Sequence, residues 1–275
     1  MANGTGEELR SVFVDGLLRG QTALVTGGGS GIGAGIAKRL AKQGAKVSLV
    51  GRSKDKLDNI AAEIRAADGE ALPLPADVRD YAAVEGAVRE TVSQFGRLDI
   101  LVNSAAGNFL APAAALSSGG FKAVVDIDLV GTFHACRAAF EALGKHRGSI
   151  VNITANQAKV PTPLQCHAGA AKAGIEKLTR DLALEWGAMG IRVNAVSPGP
   201  IEGTEGMARL APGGAADVLK KTIPLGRYGT IHEICEAVTF LVSPAGAYVT
   251  GAIFEIDGGT SLVGARLFSV MMEAP

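Results

Sequence analysis

The chain has few of the residues from which metal sites and disulfide frameworks are built. Three cysteines and four histidines are spread over 275 residues, and their spacing matches no common metal-ligand motif. An odd number of widely spaced cysteines also argues against a set of disulfide bonds and favours a reducing compartment. We therefore expect no metal in the functional site.

An excess of one charge and long apolar runs are also missing. Lys and Arg number 27 and Asp and Glu number 27, whereas nucleic-acid and anionic-membrane binders carry a basic excess. No uncharged apolar stretch reaches the roughly 18 residues that span a bilayer. The N-terminus has no signal-peptide pattern, and the final MMEAP is no peroxisomal address signal. We expect a cytoplasmic protein that binds neither nucleic acid nor membrane.

Short apolar runs alternate with longer helical patterns along the chain. This alternation predicts parallel strands joined by helices that cover both faces of the sheet. The predicted strands cover 22–26, 47–51, 72–75, 100–103, 149–154, 192–197 and 253–256. The predicted helices cover 31–43, 54–67, 81–95, 119–143, 163–189 and 231–242. The sequence thus predicts an α/β fold, a single-domain doubly wound Rossmann fold of about seven parallel strands over 21–260, between tails at 1–20 and 261–275.

A glycine-rich turn joins the first predicted strand to the first helix. Residues 26–33 read TGGGSGIG. Glycines there allow a tight turn and let a pyrophosphate approach the backbone N–H groups at the helix N-terminus. The strand before and the helix after make this pattern specific for a dinucleotide cofactor.

The end of the second strand indicates which dinucleotide is bound. NAD-binding units usually carry an Asp or Glu there for the ribose hydroxyls. This chain instead carries Arg52, Ser53 and Lys54, which can bind a 2′-phosphate. We therefore predict NADPH rather than NADH.

The ends of the remaining strands supply further expected cofactor contacts. Asp77 follows the third strand, where its carboxylate can accept from the adenine amino group, and small residues follow the fourth. The expected cofactor-binding residues so far are Thr26, Gly27, Gly29, Ser30, Gly31, Ile32, Gly33, Arg52, Ser53, Lys54, Asp77, Val78, Asn103, Ala105, Gly107, Pro198, Gly199, Ile201 and Thr204.

Six features in this order resemble the short-chain dehydrogenase/reductase superfamily over residues 20–260: TGGGSGIG, Asp77, NSAAG, Lys172, PGPIEGT and the late DGG. The resemblance implies a catalytic set of Asn, Ser, Tyr and Lys, with the Tyr four residues before the Lys. Here those positions hold Asp128, Ala155, Ala168 and Lys172, and no tyrosine lies between positions 81 and 228.

The two alanines restrict the chemistry. Reduction of a ketone needs a proton at the carbonyl oxygen, and a positioned acid is worth ~10²–10⁴ in rate. Ala155 and Ala168 have no proton to give, so alcohol and ketone chemistry is disfavoured. A conjugated thioester needs a proton only at carbon, which a bound water could supply.

Several segments resemble one subgroup of the superfamily, the peroxisomal type of 2,4-dienoyl-CoA reductase: AAGNFL, VDIDLVGTF, VNITA, HAGAAKA and PGPIEGTEG. That resemblance implies NADPH-dependent reduction of 2,4-dienoyl-CoA to 3-enoyl-CoA in unsaturated fatty-acid degradation, by a homotetramer. It implies that Asp128 and Lys172 orient a water as the proton donor and that Lys172 also binds the nicotinamide ribose. It also implies substrate contacts at Arg79, Phe109, Ser117 and Arg209.

Two other interpretations remain open. The chain could be another Tyr-less reductase of the superfamily that acts on a different activated alkene. It could also be a catalytically silent NADP(H)-binding protein, although such a protein would need neither Asp128 nor Arg209. His167 lies five residues before Lys172, off its helix face, and we expect it to be structural.

Overall fold

The computed structural model describes residues 12–204 and 220–265. In this part of the chain the core is a parallel sheet of seven strands in the order β3-β2-β1-β4-β5-β6-β7. The strands are β1 (Thr22–Thr26), β2 (Lys46–Gly51), β3 (Ala71–Pro75), β4 (Ile100–Asn103), β5 (Ser149–Ile153), β6 (Arg192–Pro198) and β7 (Ile253–Ile256). The predicted doubly wound α/β fold is confirmed.

Helices cover both faces of this sheet. The helices are α1 (Gly31–Lys42), α2 (Lys54–Ala66), α3 (Tyr81–Phe95), α4 (Ser118–Val125), α5 (Gly131–His146), α6 (Cys166–Trp186) and α7 (Ile231–Val242). Buried residues of α1, α2 and α7 form one core cluster with one face of the strands. Buried residues of α3, α5 and α6 form a second cluster with the other face.

Burial on both faces explains why the strands are continuous apolar runs rather than alternating ones. Every residue of β1, β4 and β5 is buried. Successive side chains point to opposite faces of a strand, so Leu24 packs in one core cluster and Val25 in the other. Leu18, within the predicted N-terminal tail, is also fully buried in the core; the proposed division into tails and one domain stays a prediction.

Two predicted helices differ from the observed ones. The helix predicted over 119–143 contains a π-helical turn, Asp126–Val130, between α4 and α5. The helix predicted over 163–189 begins only at Cys166, because Leu164 adopts a left-handed backbone conformation with φ of +65°. That conformation costs a branched residue roughly 1–2 kcal/mol, and it ends the preceding loop before α6 starts.

The topology determines where a ligand can bind. β1 lies between β2 and β4, so the chain winds away from β1 in both directions. Loops after these strands diverge and leave a crevice at the carboxyl ends of the strands.

Within the described residues, no helix is long and apolar enough to cross a membrane, and no group of three or more His, Cys, Asp or Glu residues could hold a metal ion. The cytoplasmic location stays a prediction.

The start of α7 generates a stability prediction. Thr230 Oγ1 accepts from Glu233 N at 3.2 Å and Glu233 Oε2 accepts from Thr230 N at 2.8 Å, which makes a capping box. Loss of such an N-cap costs about 1 kcal/mol. We expect Thr230→Ala to lower the free energy of unfolding by that amount in urea titrations at pH 7. An unchanged midpoint would contradict it.

Glu233 should make this contribution depend on pH. The hydrogen-bonded guanidinium of Arg227 lowers the pKa of Glu233 from 4.5 to about 2. Because the pKa is lower in the folded state, the stabilisation is complete above pH 4.5 and is lost as the pH falls towards 2. The difference in unfolding free energy between the unmodified protein and Glu233→Gln should therefore shrink over that interval. A difference that does not change with pH would contradict the assignment.

Candidate active site

A cleft of about 1020 Å³ opens at the carboxyl ends of the strands. It is lined by the loops that follow β1 to β6, through residues 29–33, 51–53, 76–78, 104–108, 153–157 and 198–201. Residues of α6 complete the wall. The cleft therefore lies where the sheet topology predicts a ligand site.

The glycine-rich turn is packed too tightly for side chains. A Cβ on Gly27 would lie 2.8 Å from the backbone of Ser104 and Ala105, and Gly27 itself has a φ of +68°. A Cβ on Gly33 would lie 2.3 Å from the carbonyl oxygen of Gly27. Ser30 at the N-cap of α1 makes no side-chain capping bond, so the helix N–H groups stay available to an anion. This cradle fits the pyrophosphate of a dinucleotide.

The structure places one residue of the predicted 2′-phosphate site outside the cleft lining. Arg52 and Ser53 line the cleft, but Lys54 does not. The Lys54 ammonium instead donates to Asp58 at 2.5 Å, one helical turn along α2. Lys56 lines the cleft in its place, and its Cβ lies 3.1 Å from where a Cβ on Gly29 would be. The sequence did not indicate Lys56, because its place in the cleft wall depends on which way a side chain of α2 faces.

Asp77 and Arg79, predicted for two different ligands, bind each other. The Arg79 guanidinium donates to both carboxylate oxygens of Asp77, with Nη2 to Oδ2 at 2.5 Å and Nε to Oδ1 at 3.0 Å. These hydrogen bonds lower the pKa of Asp77. Asp77 and Val78 line the cleft, whereas Arg79 is half-exposed and is not among the lining residues.

Other predicted cofactor residues fall into two groups. Thr26 and Asn103 support the site from beneath rather than lining it. Thr26 Oγ1 accepts from the backbone N–H groups of Ser104 and Ala105, and the buried Asn103 amide donates to Asn152 Oδ1 at 2.9 Å. The predicted residues that do line the cleft are Gly27, Gly29, Ser30, Gly31, Ile32, Gly33, Arg52, Ser53, Asp77, Val78, Ala105, Gly107, Lys172, Pro198, Gly199, Ile201 and Thr204.

A buried ion pair lies at the end of the cleft away from Arg52. Lys172 Nζ is 3.2 Å from Asp128 Oδ2, and the two residues are 8% and 1% exposed. Lys172 also donates to the Ile153 carbonyl at 3.1 Å, while Asp128 Oδ1 accepts from Gly107 N at 2.7 Å. Asp128 lies on the π-helical turn between α4 and α5, a feature often found at functional sites. Both predicted catalytic residues therefore meet in one cleft.

Ala155 and Ala168 line this same part of the cleft. Three amide side chains, of Asn108, Gln157 and Gln165, accompany them there. None of the three was predicted as a site residue, and the only signal in the sequence was the position of Gln165 seven residues before Lys172.

The predicted substrate residues have different positions. The Phe109 ring is 40% exposed and packs on the buried His167 ring, with 4.5 Å between the centroids. Ser117 caps α4 by accepting from Gly120 N at 3.0 Å, next to Phe109. His167 does not line the cleft, and Arg209 lies outside the described residues.

Comparison with known proteins decides the family. The model of a family described as "Enoyl-(Acyl carrier protein) reductase" matches residues 27–261, which is most of the chain. The chain belongs to the short-chain dehydrogenase/reductase family. It is thus an oxidoreductase whose cleft is built for a nicotinamide dinucleotide, and the glycine cradle fits such a cofactor.

Individual relatives cover nearly the whole of this reductase. The rat "Peroxisomal 2,4-dienoyl-CoA reductase [(3E)-enoyl-CoA-producing]" is 46% identical over 92% of this chain and 88% of its own length. A Bacillus subtilis protein named "Probable 2,4-dienoyl-CoA reductase [(2E)-enoyl-CoA-producing]" is 41% identical over 87% and 96%. Among solved structures, the "citronellol catabolism dehydrogenase (AtuB)" of Pseudomonas aeruginosa PAO1 has a TM-score of 0.82 and 40% identity over 91% and 99%.

The buried ion pair of this short-chain dehydrogenase/reductase generates a stability prediction. Removal of one partner leaves the other charge buried and unpaired, which costs about 3–5 kcal/mol. We expect Lys172→Met to lower the unfolding free energy by that amount at pH 7. The double variant Lys172→Met/Asp128→Asn should recover part of the loss. A single-variant loss below about 1 kcal/mol, typical of surface pairs, would contradict the burial of the pair.

Proposed function

We propose that this chain reduces 2,4-dienoyl-CoA to 3-enoyl-CoA with NADPH, as a step in the degradation of unsaturated fatty acids. The observation that carries the proposal is the buried Asp128–Lys172 ion pair in a cleft whose neighbouring wall positions are Ala155 and Ala168. The names of relatives at 41–46% identity support the substrate class. The homotetramer expected from the sequence belongs to the same proposal.

The choice of NADPH rests on the cations at the end of β2. Arg52 and Lys56 line the cleft there, and no carboxylate follows Gly51 directly to accept from a ribose hydroxyl. Guanidinium and ammonium groups bind phosphate oxygens, and Arg does so in a bidentate geometry. When bound, the reduced nicotinamide supplies a hydride to the far carbon of the diene.

Lys172 and Asp128 are arranged to hold a water at the reacting carbons. The Lys172 ammonium has three N–H donors, of which one reaches Ile153 and one reaches Asp128. Among the described residues the third has no partner, so it can point into the cleft and be shared between a water and the nicotinamide ribose. The Asp128 carboxylate can accept from that water. The held water gives a proton to the carbon next to the thioester, and the Lys172 charge stabilises the hydroxide that remains.

The same arrangement explains why simple ketones should be poor substrates. A ketone oxygen that becomes an alkoxide needs a proton from an adjacent acid. Ala155 and Ala168 cannot supply one. In a dienoyl thioester the charge delocalises onto the thioester oxygen, and only carbon needs to be protonated.

The CoA end of the proposed substrate would lie towards Arg79. Its guanidinium is half-exposed beside the cleft, where it can exchange part of its bond to Asp77 for a phosphate. Phe109 and Ser117 would contact the acyl part, and Arg209 is expected to add a second cation.

The cofactor assignment gives a prediction with a matched control. In fluorescence titrations the unmodified protein should bind NADPH more tightly than NADH. Arg52→Asp should reverse that order, and Lys56→Ala should weaken NADPH binding roughly tenfold, or about 1.4 kcal/mol. Lys54→Ala should have no effect, because Lys54 is paired with Asp58 outside the cleft. Equal affinities of the unmodified protein for NADPH and NADH would contradict the assignment.

The proton path gives a second prediction. Asp128→Asn should lower kcat for a dienoyl-CoA by roughly 10²–10⁴, with little change in the Kd for NADPH. Lys172→Met should impair both, since Lys172 is also expected to bind the nicotinamide ribose. Asp126→Asn is the matched control, because Asp126 lies on the same π-helical turn but pairs with Lys122.

Steady-state kinetics with a dienoyl-CoA and with a 3-ketoacyl-CoA are the measurement. We expect the ketone to be reduced at a small fraction of the dienoyl rate. Fast ketone reduction, or an Asp126→Asn variant as slow as Asp128→Asn, would show that the reaction and the proton source are assigned wrongly.

A further inference from the structure

Three side-chain amides from separate elements meet in the wall of the cleft. Asn108 comes from the loop after β4, Gln157 from the 3-10 turn after β5, and Gln165 is the residue before α6. Gln165 Oε1 accepts from Asn108 Nδ2 at 2.7 Å and from Gln157 Nε2 at 3.2 Å. All three residues line the cleft.

In this network the amide oxygen of Gln165 is already used as an acceptor, and only its NH₂ group remains available. An amide oxygen has two lone pairs, and both face protein donors here. Among the described residues, Gln165 Nε2 donates to no protein acceptor, although the residue is only 7% exposed. An NH₂ group that has no protein acceptor and lies in the wall of an open cleft can donate to an acceptor on a bound molecule.

The backbone next to Gln165 adopts a conformation that its residue type disfavours. Leu164, immediately before it, has a φ of +65°, and the Leu164 carbonyl accepts from Ala111 N at 3.0 Å. Asn108 Nδ2 donates to Gln165 although Asn108 Oδ1 is buried and has no partner among the described residues. Strained backbone and an unsatisfied polar atom tend to persist where the geometry serves function.

Gln165 lies near Lys172 in sequence, and the thioester carbonyl oxygen of the proposed substrate is the group there that needs a hydrogen-bond donor. Ala168 and Lys172 lie four residues apart on one face of α6, and Gln165 is the N-cap residue just before that helix. All three line the cleft. As a conjugated thioester is reduced, negative charge grows on its carbonyl oxygen, and a fixed donor there lowers the barrier.

We propose that Gln165 Nε2 donates a hydrogen bond to the thioester carbonyl oxygen of the acyl substrate. This assignment rests on the proposed dienoyl-CoA substrate. Asn108 and Gln157 act as positioning residues, because their donation to Gln165 Oε1 turns the NH₂ group towards the cleft. The proton for carbon still comes from the water at Asp128 and Lys172.

The test is spectroscopic as well as kinetic. Hydrogen bonding to the carbonyl of a conjugated thioester moves its ultraviolet absorption to longer wavelength and lowers its C=O stretching frequency. Hexadienoyl-CoA bound to the enzyme with NADP⁺, which cannot reduce it, should show both changes. Gln165→Met, similar in length but without donors, should lose most of both shifts and lower kcat by roughly 10²–10³.

Controls separate this role from a structural one. Gln94→Met makes the same chemical change on the exposed side of α3 and should leave the shifts and kcat unchanged. NADPH should bind Gln165→Met as tightly as the unmodified protein, which reports an intact fold. Asn108→Ala should reduce the absorption shift partly, since one of the two bonds that orient Gln165 is lost.

The outcomes distinguish this inference from the proposed function. If the unmodified enzyme turns over dienoyl-CoA and Gln165→Met keeps the full absorption shift and kcat, the Gln165 assignment is overturned. If the unmodified enzyme binds dienoyl-CoA with a shift that Gln165→Met abolishes but does not turn it over, only the proposed function fails. An unmodified enzyme with neither turnover nor shift overturns both.

Discussion

The buried ion pair between Lys172 and Asp128 is the interaction around which the reacting end of the cleft is organised. It joins α6 to the π-helical turn before α5, and each partner also contacts a strand end or loop, at Ile153 and Gly107. Desolvation of two charges is expensive, and apolar residues of similar volume often give equal or greater stability. A pair retained at this cost in a cleft wall is better explained by chemistry than by stability.

Net positive charge lies at one end of the cleft, whereas the groups at the other end are neutral or form an ion pair. Cations and glycine N–H groups lie at the end of β2 and the start of α1, where a phosphorylated cofactor needs them. The reacting end has the neutralised Lys172–Asp128 pair, two alanines and three amides. This separation suits the proposed reaction, in which the phosphates stay bound and charge develops only on a delocalised thioester.

Most of the fold could be predicted from the sequence because strands buried on both faces are continuous apolar runs. β1, β4 and β7 begin and end at the predicted residues. The π-helical turn could not be predicted, since DIDLV has no breaker and continues the helical pattern. The sequence did not predict Lys56 or the three amide side chains as site residues, for a different reason. Their roles depend on which way a side chain faces, and for Gln165 that is set by the left-handed backbone of Leu164.

The proposed reaction requires that an exchangeable proton, such as that of a water held by Asp128 and Lys172, be delivered to the carbon next to the thioester. The most direct test is NMR of the product formed from a 2,4-dienoyl-CoA and NADPH in D₂O. We expect a double bond between carbons 3 and 4 and a single deuterium at carbon 2. A double bond between carbons 2 and 3 with deuterium at carbon 4 would contradict the claim, because the proton would then have been delivered away from the thioester.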